Sequence, residues 1–207
     1  MDLWPFINEV VQRTAELGVQ LHMGKENHVL YEGQKCSGFF THIPQPTLAF
    51  HLKGPTAEGV LYHEFNHMEQ WHENCKAWRE CKVTENIGTE DLIFLWSDKK
   101  IELSPAQLKT YIQGSVNVEL DCERRTAKLV RRLAREGKTT IDVREYIQKA
   151  NSYVMFWHMV GKTGKWYKIG KRPYELPEVW TEFPTTFSLD YTKLPRKYEK
   201  LFDEFCS

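Results

Sequence analysis

Two histidines four residues apart constrain this chain more than any other feature. His63-Glu64-Phe65-Asn66-His67 lies in the middle of a stretch with helical periodicity. The pattern predicts a helix over about 56–71, with Thr56 as N-cap, Glu58 in the first turn and Leu61, Phe65 and Met68 as one apolar stripe. At about 100° per residue, positions four apart differ by about 40°, so both imidazoles leave one face and can bind one metal ion. Glu64 sits beside them without occupying a ligand position, near enough to take a proton from a metal-activated water. Val60, His63, Glu64, His67 and Trp71 make a second face beside the apolar stripe, so the histidines are not placed as core filler.

A catalytic zinc keeps three protein ligands and one open position. Six residues past His67 stands Glu73 rather than a histidine, and His72, five residues on, is turned about 140° away. Better donors lie on a second long helix. Ser104-Pro105-Ala106-Gln107 opens it as a capping box with proline at the first helical position, and Gly137 ends it after about Arg135. On that helix Glu119 and Glu123 share a face, while Asp121 points away. One glutamate would bind the metal and the other would orient a ligating histidine, or Glu123 would pair with a nearby arginine.

The rest of the chain reads as mixed structure. Phe6, Val10, Val11, Ala15 and Leu17 predict a helix over 5–17, closed by Gly18. Short strands are expected at 28–31 and 36–42, on either side of Gly33. A third is expected at 47–53, where Leu48, Phe50 and Leu52 alternate with Thr47, Ala49, His51 and Lys53 as in a half-buried strand. The segment 73–103 carries one apolar burst, from Leu92 to Trp96. A third long helix is predicted over about 142–159. After Gly161 an aromatic-rich irregular wrap follows, with a short helix near 196–205. In the wrap, Trp180, Phe183 and Phe187 would pack over the helices or wall a cleft.

Composition narrows the function. The chain has 207 residues, with 28 Lys plus Arg against 28 Asp plus Glu. That balance removes bulk attraction to nucleic acid or anionic lipid. Arg124, Arg125, Lys128, Arg131, Arg132 and Arg135 complement the dipole at a helix C-terminus, and the lysine-rich run 162–172 reads as a surface loop. No apolar run approaches the length of a membrane span, and the N-terminus lacks the pattern of a secretory signal. Five cysteines, an odd number, fit reduced thiols, so the expectation is a soluble cytoplasmic protein. His72, Cys75 and Cys81 lack a fourth ligand for a second metal site.

A helix with H-E-x-x-H, preceded by an antiparallel strand and followed by a glutamate on a later helix, resembles the gluzincin branch of zincin metallopeptidases. Within it, Glu119-Leu120-Asp121-Cys122-Glu123 with Ala127 resembles the E-x-x-A-(D/N)-x-F-A helix of the small ImmA/IrrE-type peptidases. It differs in Cys122 for the small residue, in Glu123 for Asp or Asn, and in lacking the aromatic. The resemblance spans about residues 47–127. It implies one Zn²⁺ per chain, held by His63, His67 and Glu119, with Glu64 as general base and then acid. It also implies that strand 47–53 aligns an extended peptide substrate by strand addition. Tyr153, His158 and Tyr167 are candidates for a second electrophile, and spacing does not choose among them.

The expectation is therefore a single α+β domain of minimal zincin type. A small, mostly antiparallel sheet would pack on the H-E-x-x-H helix and its glutamate-bearing partner. Residues 1–137 would form the core, and 138–207 a C-terminal helix and wrap. The expected activity is zinc-dependent hydrolysis of protein or peptide substrates. The rivals are a catalytically silent, metal-stabilised binding protein and an amidase acting on a non-peptide substrate.

Overall fold

The computed structural model describes residues 4–31, 33–166 and 172–206, and the architecture is α+β. The chain groups into two compact units, residues 1–75 with 125–141, and residues 76–124 with 142–207.

The first unit opens with helix α1 (Trp4–Leu17). Its inner face is Phe6, Ile7, Val10 and Thr14, all nearly inaccessible, whereas Val11 is 44% exposed. The apolar side is thus rotated from the stripe read in the sequence, because Ile7 and the back-bonded hydroxyl of Thr14 are buried in place of Val11 and Ala15. The main sheet has three strands in the order β1 (Gln20–Gly24), β5 (Thr47–His51), β4 (Gly38–Thr41). Strand β1 runs parallel to β5, with Gln20 opposite Thr47, and β4 runs antiparallel, with Gly38 opposite Phe50. A separate hairpin pairs β2 (Val29–Tyr31) with β3 (Gln34–Cys36).

Strand β5 corrects the expectation of a half-buried edge strand. It is central, and Leu48, Ala49, Phe50 and His51 are all at most 2% exposed. Alternation suggested one wet face, but Ala49 is small enough to be covered and His51 is taken inside with its Nε2 3.4 Å from Thr56 Oγ1. The main sheet is accordingly mixed rather than mostly antiparallel.

Helix α2 (Ala57–His72) packs on β4 and β5, with Leu61, Tyr62 and Met68 fully buried. Phe6 of α1 meets Tyr62 and Phe65 edge-on, at centroid distances of 4.9 and 5.2 Å. The last turns of α5 (Pro105–Arg135) complete this unit. Asn66 donates to Thr126 Oγ1 at 3.2 Å and to the Tyr62 carbonyl at 2.8 Å. Arg125 pairs with Glu73 at 2.7 Å and Arg132 with Glu9 at 2.8 Å, so these members of the basic run are ion-paired.

The second unit is mostly helical. It holds α3 (Lys76–Cys81), a hairpin of β6 (Lys82–Thr84) and β7 (Ile87–Gly88), α4 (Thr89–Ser97), and α5 up to Arg124. It continues through α6 (Val143–Thr163), a 3-10 turn at Pro173–Glu175, α7 (Pro177–Trp180) and α8 (Arg196–Cys206). The capping box forms as its sequence requires: Gln107 N–H donates to Ser104 Oγ at 3.3 Å and Ser104 N–H to Gln107 Oε1 at 3.0 Å. Gly137, at φ 67°, follows the helix end. Asp142 caps α6 by accepting from the N–H groups of Arg144 and Glu145, which holds its carboxyl below the usual range. Around the buried Trp157 stand Phe94 and Trp166, and Phe183 stacks on Tyr198 at 3.9 Å. The wrap is pinned by side chains of α6. Gln148 donates to the carbonyls of Thr181 and Phe183, and Asn151 to those of Pro184 and Thr186.

Among the described residues, no helix is long and apolar enough to cross a membrane. Among the described residues, Cys36, Cys75, Cys81 and Cys122 are not joined in disulfides.

Candidate metal centre

In the first unit, α2 carries His63, Glu64 and His67 on the expected face, and all three are half-buried. The two imidazoles converge: Nε2 of His63 lies 3.0 Å from Nε2 of His67, with the rings nearly perpendicular. Two nitrogens at about 2.0–2.1 Å from one tetrahedral zinc stand about 3.3 Å apart, so this pair fits that ion with little adjustment. On its other side His67 presents Nδ1 to Gln70 Oε1 at 2.8 Å. An amide oxygen only accepts, so Nδ1 carries the proton and Nε2 of the neutral ring carries the lone pair a metal requires.

Glu64 lies against strand β4. A Cβ built on Gly38 would stand 2.9 Å from Glu64 Cγ, 2.6 Å from Val60 Cγ1 and 2.9 Å from the Ala49 carbonyl. Only a glycine lets β4 approach α2 this closely. One turn beyond His67, Trp71 meets Phe40 of β4 at a centroid distance of 5.5 Å, giving this side of α2 an aromatic wall.

The second unit holds the other acidic candidates. Glu119 and Glu123 of α5 are 4% and 5% exposed, rare burial for carboxylates. Glu123 accepts a hydrogen bond from the Tyr146 hydroxyl on α6, a partner other than the arginine considered from sequence. Tyr153 is held protonated well above the usual phenol range, first by burial and then by the carboxylates of Glu119 and Glu90. His158 turns its Nε2 to the Tyr191 carbonyl at 3.2 Å, which makes it a structural residue. Tyr167 lies outside the described residues. His72 is exposed, and the Cys81 thiol donates to the Trp78 carbonyl at 3.1 Å.

Each unit thus gathers its own part of the candidate set, His63, Glu64 and His67 in one and Glu119 and Glu123 in the other. Sequence reasoning missed Gln70, Gly38 and Tyr146. Gln70 could have been found, since it lies three residues from His67 on the same helix and can face it. Nothing local marks Gly38, whose role depends on a strand packing on a helix distant in sequence. Comparison with protein-family models, with curated proteins and with solved structures finds no match to this chain.

Proposed function

We propose that this chain is a zinc-dependent metallopeptidase of zincin type, with His63, His67 and Glu119 as metal ligands and Glu64 as the proton carrier. The observation that carries the reading is the pair of convergent imidazoles on α2, with the His67 tautomer set by Gln70 and Glu64 on the same half-buried face. Bound zinc would acidify a water and polarise the scissile carbonyl. Glu64 takes the proton of the attacking water and delivers it to the leaving amine. Strand β4 is an end strand of the three-stranded sheet, so it replaces β5 as the strand on which an extended peptide is laid. The aromatic wall of Phe40 and Trp71 suits a substrate with a large apolar side chain.

The third ligand comes from α5 in this reading. Glu119 is the donor that the resemblance implies, and it is buried on α5. Cys122 is a wholly buried thiol, which makes a His63–His67–Cys122 donor set the competitor to the glutamate. A soft thiolate suits a closed structural site, so Cys122 favours the second reading, a metal-stabilised binding protein without peptidase activity.

The test is Glu64→Gln beside Glu119→Ala and Cys122→Ala, each assayed for zinc content and for cleavage of a peptide library. Peptidase chemistry requires that Glu64→Gln keep its zinc and lose hydrolysis by 100-fold or more, on the order expected for a general base. Unchanged turnover in that variant contradicts the mechanism. Zinc lost with Cys122 but retained with Glu119, and no cleavage by wild type, selects the binding protein.

A further inference from the structure

We infer that Gln70 is a positioning residue for the metal centre, a role that rests on the metal reading above. Its side chain is 0% exposed, and it reaches His67 Nδ1 from one helical turn away, at 2.8 Å. A buried amide must be hydrogen-bonded, and the Oε1 of this one bonds a neighbouring ring. Because Oε1 accepts only, the ring of His67 keeps its proton on Nδ1 and turns an unprotonated Nε2 toward Nε2 of His63, 3.0 Å away. The opposite tautomer would put a proton on Nε2 of His67 itself, whereas here the 3.0 Å bond is donated by Nε2–H of His63 and its proton leaves when the ion binds. Gln70 therefore selects the metal-competent form of His67 before any metal arrives, and it does so with a neutral acceptor. A neutral partner leaves the ring less basic than a carboxylate would, so the site binds zinc less tightly than the same pair backed by glutamate.

Two substitutions separate this role from packing. Gln70→Met keeps length and volume but removes the acceptor, and Gln70→Glu keeps the acceptor and adds charge. Nitrogen-15 NMR of the imidazoles in the metal-free protein reads the tautomer directly, and a competing chelator gives the zinc affinity. Wild type and Gln70→Glu should show His67 with its proton on Nδ1, and Gln70→Met should lose that preference. Zinc affinity should fall about 10- to 100-fold in Gln70→Met and hold or tighten in Gln70→Glu. Should Gln70→Met fail to fold, the wild-type spectrum still decides, because a proton on Nε2 of His67 contradicts the inference. Equal affinity and tautomer in wild type and a folded Gln70→Met also overturn it, with the metal reading intact. Wild type that takes up no zinc overturns the metal reading instead.

Discussion

On α2, His63 and His67 turn toward each other with their Nε2 atoms 3.0 Å apart on a half-buried face, whereas on α6 His158 commits its Nε2 to the Tyr191 carbonyl. Two contacts of the α2 pair lie within one helix, at most four residues apart: His63 with His67, and His67 with Gln70. Those of α6 reach more than thirty residues along the chain, from Gln148 to Thr181 and Phe183, from Asn151 to Pro184 and Thr186, and from His158 to Tyr191. The second set ties an irregular segment to a helix, so its removal should cost stability. The first set offers ligand atoms that converge, so its removal should cost metal binding first. Histidine on a helix face is thus no guide to function until its partner is known.

The largest effect should come from cutting an α6 tie. Asn151 is wholly buried, donates to two carbonyls and accepts from the Tyr191 hydroxyl. Asn151→Ala should lower unfolding stability by about 2–4 kcal/mol in chemical denaturation, since it leaves buried polar groups without a partner. A loss below about 1 kcal/mol would break the contrast between the helices.

Next is Gly38→Ala, which forces a methyl group into Val60, Glu64 and the Ala49 carbonyl. Overpacking of this kind should cost about 1–3 kcal/mol, and peptide hydrolysis should fall more than zinc content, because Glu64 is among the groups the methyl presses on. If both are unchanged, β4 does not set the position of Glu64.

Ser104→Ala should remove the capping box of α5 and about 1 kcal/mol, read as a lower denaturation midpoint with an unchanged slope.

The smallest effect is on pH dependence. Burial lowers the pKa of His158 below its ordinary 6.5, so the unfolded chain takes up the proton first as pH falls. This residue's contribution is therefore fully present above about pH 6.5 and is lost as pH falls from there toward the folded-state value. His158→Gln should flatten the stability profile in that window. Tyr191, raised to about 12 chiefly by its own burial, titrates far outside it.

The parts of the fold legible in the sequence are those set by neighbours along the chain. The α2 and α5 helices follow from periodicity and from the Ser104-Pro105-Ala106-Gln107 box, and α6 from its start at Asp142, although it runs on to Thr163. Strand β1 was not legible: Gln20, His22 and Met23 give it little apolar pattern, and its parallel partner β5 lies across 27 residues. The split between β3 and β4 at Ser37 was hidden for a similar reason, since each half pairs with a different strand. In the candidate site, the histidine pair and Glu64 were readable because the i, i+4 rule places them. The contacts of Glu123 with Tyr146 and of Gly38 with α2 depend on packing between distant segments, which local pattern does not encode.

The most direct test of the central claim is metal content, measured by elemental mass spectrometry on wild type and His67→Ala purified side by side and supplied with zinc. About one zinc per wild-type chain, lost in a folded His67→Ala, is what convergent imidazoles on α2 require. A wild type that holds no zinc, or a His67→Ala variant that holds as much, would mean that the two histidines pair with each other for structural reasons alone.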